Sequence, residues 1–75
     1  MKVEIYRATD NLDGCDSYFA FNEERTACTI VYDSVPLENL IRAIKRRGLD
    51  WFEDVKPRFN MMINPQLVCT VETDE

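Results

Sequence analysis

The chain has 75 residues, 45% of them apolar and 31% charged, with two glycines and three prolines, so one small globular domain is expected, with no room for the core of a second domain. It carries no histidine and a net charge of −5, which removes the commonest general base and metal ligand and argues against a protein that is basic throughout. No stretch approaches the ~20 apolar residues of a membrane-spanning helix, and Met1 to Ile5 reads as a strand and not as a signal peptide. A cytoplasmic protein is therefore expected.

Lys2 to Ala8 alternates Val3 and Ile5 with charged neighbours, the period of a half-buried strand. Asp10 to Ser17 is rich in Asp, Asn, Gly and Ser, and predicts a loop. A second strand is expected at Tyr18 to Phe21, a turn at Asn22 to Arg25, and a third strand at Thr26 to Tyr32. These three would form an antiparallel meander. With Phe19 and Phe21 inward, Tyr18, Ile30 and Tyr32 face outward as an exposed patch that marks an interface; the alternative is that both sheet faces are partly covered.

Ser34 to Gly48 is the segment that most clearly specifies its own structure. Leu37, Leu40, Ile41 and Ile44 recur at i, i+3, i+4 and i+7, which sets four apolar side chains on one helical face. Ser34 is the candidate N-cap, and Pro36 suits the first turn. Glu38 lies near the positive end of the helix dipole, while Lys45, Arg46 and Arg47 lie near the negative end. Gly48, followed by Leu49, is the expected Schellman stop.

Asp50 to Val55 predicts a short helical turn that ends before Pro57. Arg58 to Ile63 and Gln66 to Glu72 read as two strands joined by a turn at Asn64-Pro65, and residues 73–75 as a fraying tail. The order is β-β-β-α-β-β: an α+β two-layer domain over residues 1–75, with an antiparallel sheet of four to five strands. One amphipathic helix covers one face, since neither the helix stripe nor an apolar sheet face is stable alone.

The sequence offers little for catalysis. Ser17 and Ser34 stand in turn and cap contexts. Cys15, Cys28 and Cys69 are odd in number and lack a Cys-x-x-Cys pair, so unpaired thiols are expected and no zinc site. Asp13 and Asp16 beside Cys15 disfavour its thiolate. An EF-hand register with Gly14 in sixth place puts Thr9 first and Ala20 where a bidentate Glu is required, so that pattern fails. No metal or cofactor is expected, and no enzymatic activity.

Charge is the more informative signal. From Arg42 to Arg58 six bases face three acids, whereas the rest of the chain holds three bases and eleven acids. A basic end on an acidic body suits a binding module with Arg42, Lys45, Arg46, Arg47, Trp51 and Phe52 as its contact residues, since Arg and Trp are over-represented where binding energy concentrates. The expected partner is a protein. The acidic body would compete with nucleic acid for a basic groove, as an inhibitor or regulator from a phage or mobile element would. Two alternatives stand beside this reading. One is a nucleic-acid binder that uses the basic helix end and nearby aromatics; the other is a homodimer built through an edge strand or the outer aromatic face.

Overall fold

In a computed structural model the backbone is described for residues 2–48, 53–54 and 59–73. The elements are β1 (Lys2–Asp10), β2 (Asp16–Asn22), β3 (Ala27–Tyr32), α1 (Leu37–Arg47), β4 (Glu53–Asp54), a 3-10 turn (Phe59–Met61) and β5 (Met62–Glu72). The result is a small α+β domain with four main antiparallel strands and one helix among the described residues. The strands lie in the order β4-β3-β2-β1-β5. The meander of β1, β2 and β3 forms as the sequence predicts. β5 returns to the far side of β1, and the two-residue β4 pairs with β3 at the other edge.

Two turns explain the meander. Between β1 and β2, Gly14 takes φ +71° and donates its N–H to the Asp10 carbonyl at 2.8 Å. Between β2 and β3, buried Asn22 organises the chain by itself. Its Oδ1 accepts from the N–H groups of Thr26 and Ala27, both at 2.8 Å, and its Nδ2 donates to Thr26 Oγ1 at 2.8 Å. Those bonds supply backbone partners where the ladder stops, and they let Arg25 adopt φ +59°.

The register divides the meander's side chains between two faces. Val3 and Ile5 of β1, Ala20 of β2 and Val71 of β5 pack with Leu40 and Ile44 of α1 into one aliphatic core, with Tyr18, Val31, Leu37, Ile41 and Cys69 around it. On the other face Ala8, Phe19, Phe21 and Cys28 form a second core, packed by Tyr6, Ile30 and Met62. The expected outer patch of Tyr18, Ile30 and Tyr32 is thereby corrected. Tyr18 pairs with Val31 on the helix side, while Ile30 pairs with Phe19 on the opposite side. The physical reason is room: the small Ala20 sits below α1, and the bulky rings of Phe19 and Phe21 go to the face away from it. Both faces therefore bury apolar residues.

Further expectations change. The helix ends at Arg47 as expected, but it starts later, at Leu37: Pro36 and not Ser34 is at its N-cap, without a side-chain cap. The extended ψ of +136° at Pro36 aims its own carbonyl at the N–H groups of Asn39 and Leu40, at 3.0 and 3.3 Å. Gly48 does end the helix at positive φ, but its ψ of −132° is not the left-handed helical value; its N–H bonds the Ile44 carbonyl at 2.8 Å. Leu49, the rest of that expected stop, lies outside the described residues.

The helical turn expected over 50–55 is contradicted at Glu53–Asp54, which pair as β4; residues 50–52 and 55 lie outside the described residues. Last, the expected hairpin around Asn64-Pro65 is one eleven-residue strand. Asn64 takes φ +52°, and β5 slips against β1 between Arg7 and Thr9, and again between Ile5 and Tyr6. The residues that signal a turn here make a bulge, which uses the same positive φ but keeps the chain running forward. Thr73, expected to fray, is buried, and residues 74–75 lie outside the described residues.

Candidate functional site

The helix sorts its residues by angle. Because Leu40 and Ile44 point into the aliphatic core, residues about 180° away on the wheel face outward. Asn39, Arg42 and Arg46 occupy that outer pole, and with Ala43 and Arg47 they line an open concavity of about 410 Å³. Arg42, Lys45, Arg46 and Arg47 are all exposed. Among the described residues Arg42, Lys45 and Arg46 make no ion pair. Four of the six expected contact residues are thus brought onto one helix; Trp51 and Phe52 lie outside the described residues.

The arginine inside the sheet region behaves differently. Arg7 of β1 bonds Asp33 Oδ2 at 2.9 Å and lies 3.5 Å from Asp16 Oδ2, which in turn accepts the Thr9 hydroxyl through its Oδ1 at 2.8 Å. The hydrogen bond to Asp33 raises the Arg7 pKa. This group ties β1, β2 and the turn after β3 together, and its charge is satisfied within the molecule. Arg42, Lys45 and Arg46 of α1 have no such carboxylate partners among the described residues.

A second concavity lies at the far end of the sheet, on the face away from the helix. Asp10, Asp13, Ser17, Ile30 and Tyr32 line a cavity of about 240 Å³. Composition assigned Asp10 to Ser17 to a loop, but Asp10 ends β1 and Ser17 lies within β2, where it pairs with Tyr32. The available signal was that Asp10 and Ser17 flank the short loop of a hairpin, which brings the residues on either side of it together.

Cys28 is buried and Cys69 half-buried, where burial pushes the Cys69 thiol up. Cys15 is exposed, and its pKa is raised chiefly by the charge of Asp13, with desolvation second. No group of three metal-binding side chains occurs among the described residues. No helix among them is long and apolar enough to cross a membrane. No protein family, curated protein or solved structure matches the chain.

Proposed function

We propose that the protein is a small non-catalytic binding module of the cytoplasm that docks on an acidic protein surface through the outer face of α1. The observation that carries this reading is the pair of exposed cations Arg42 and Arg46 lining a concavity of about 410 Å³, with Lys45 exposed on the same helix, all three without ion-pair partners among the described residues. Charges left in water on a rigid helix cost little to bring to a complementary surface, and they steer its approach. An odd number of widely spaced cysteines without a Cys-x-x-Cys pair suits a reducing compartment. An inhibitor or regulator from a phage or mobile element would act in this way.

The test is a tagged pull-down from lysate, split into nuclease-treated and untreated halves, with the variant Arg42→Glu/Arg46→Glu beside the native chain. A protein retained by the native chain in both halves and lost by the variant supports the reading. Partners that vanish with nuclease assign the helix face to nucleic acid and overturn it.

One observation favours a second reading, a homodimer. β5 stands at the sheet edge with Ile63, Leu67 and Val68 exposed at 44, 54 and 39%. An antiparallel strand pairs with its own copy about a two-fold axis, and apolar edges invite that pairing. Sedimentation at rising concentration tests it: twice the monomer mass supports the dimer, and a constant monomer mass removes it.

A further inference from the structure

Ser17 is 1% exposed, and its hydroxyl makes no hydrogen bond among the described residues. The register puts it on the same sheet face as its direct neighbours Ala8 and Tyr32, and as Asp10 two residues beyond Ala8. Ser17, Asp10 and Tyr32, with Asp13 and Ile30, line the cavity of about 240 Å³. A buried hydroxyl without a partner is uncommon, because such groups nearly always find one. Here it borders an open space flanked by two carboxylates.

We propose that this cavity binds an alkylammonium group on an apolar stem, the chemistry of a lysine side chain. Neither Asp10 nor Asp13 has an ion-pair partner among the described residues, so the cavity carries uncompensated negative charge. Metal chemistry is not served, since no group of three metal-binding side chains forms there among the described residues. Asp10 Oδ1 already accepts the Leu12 N–H, and Asp13 Oδ1 the Cys15 N–H, both at 2.9 Å. Each carboxylate thus offers one oxygen in place of a two-oxygen fork. A guanidinium prefers the fork, whereas an ammonium with three donors suits separate acceptors: Asp10 Oδ2, Asp13 Oδ2 and the Ser17 hydroxyl.

The walls match the rest of such a ligand. Ile30 provides apolar surface for a methylene stem, and the Tyr32 ring provides a face for the cation. The volume is below the ~300–1,000 Å³ of pockets that enclose drug-sized ligands, which suits one side chain. This site lies on the face away from α1, so it is independent of the docking surface proposed above.

The experiment is an amide-resolved NMR titration of the full chain with Nα-acetyl-lysine methylamide, n-butylammonium and Nα-acetyl-norleucine methylamide. Saturable shifts at Asp13, Ser17 and Tyr32 with the two ammonium probes, and none with the norleucine probe, are expected. Tighter binding of the capped lysine marks a side chain of a polypeptide as the source, and equal binding marks a free amine; either supports the site. Tyr32→Ala should weaken binding roughly two- to five-fold. Ser17→Ala should weaken it as well while leaving the melting temperature unchanged or higher, because no existing bond is lost. Absence of saturable shifts, or the same shifts from norleucine, overturns the proposal. A lowered melting temperature for Ser17→Ala also overturns it, since the hydroxyl would then already have a partner.

Discussion

The two faces of the sheet come from the same strands yet differ in what they bury and what they present. The helix side is aliphatic, built from Val3, Ile5, Ala20, Val71, Leu40 and Ile44, and its outermost layer is the cationic face of α1. The opposite side is aromatic around Phe19 and Phe21, and at one end it opens into the acidic cavity of Asp10 and Asp13. Strand alternation is the cause: each successive residue of β2 goes to the other face, so Tyr18-Phe19-Ala20-Phe21 feeds both cores. What this teaches is that a run with no apolar–polar alternation marks a strand covered on both sides.

Truncation of a buried side chain in either core should have the largest effect. Phe21→Ala should cost about 3–5 kcal/mol and Ile44→Ala about 2–5 kcal/mol, by lost burial and the cavity left behind. A chain of this length holds only about 4–11 kcal/mol in total, so either variant should shift the urea midpoint severely or unfold the protein. A mild effect of Phe21→Ala, under about 1 kcal/mol, would mean that the aromatic side is no true core. Smaller is Asn22→Ala, expected to cost about 1–3 kcal/mol because two backbone N–H groups lose their acceptor. Gly48→Ala should cost about 1–3 kcal/mol, since a Cβ is strained at φ +62°.

The smallest effect is kinetic. The Asp13 charge raises the Cys15 pKa, so near pH 8 more of the group stays as unreactive thiol than in an isolated cysteine. Alkylation of Cys15 should be slower than that of a cysteine peptide, and Asp13→Asn should speed it. For Cys69 the raised folded pKa has a consequence for stability. Its contribution is fully present below the pKa of the unfolded thiol and is lost as pH rises through the folded value, so alkaline pH should lower the urea midpoint. A Cys69→Ser variant that loses this alkaline slope would confirm the source.

The sequence showed some parts of this arrangement clearly and hid others, for physical reasons. The helix α1 and its end were legible because Leu37, Leu40, Ile41 and Ile44 keep one period and Gly48 stops it. The meander was legible from its turn residues. The assignment of faces was not, because nothing in Tyr18 to Phe21 says which parity meets the helix; only pairing with Val31 and Ile30 fixes it. β5 was misread as a hairpin because Asn64-Pro65 signals positive φ and a break in the ladder, which a turn and a bulge share. Of the candidate site, the helix cations were legible as a charge run. The acidic cavity was hidden, since its members lie in three strands and a loop and converge only through register.

The two surfaces of opposite charge make the central claim testable with one pair of variants. Once a retained partner is in hand, its affinity would be measured by calorimetry for the native chain, Arg42→Glu/Arg46→Glu, and Glu23→Lys in the exposed turn between β2 and β3. The account predicts that the helix variant abolishes binding and that Glu23→Lys leaves it within about two-fold, as expected for a residue outside the contact. Unchanged binding by the helix variant, with the fold intact by circular dichroism, would contradict the assignment of α1 as the docking face.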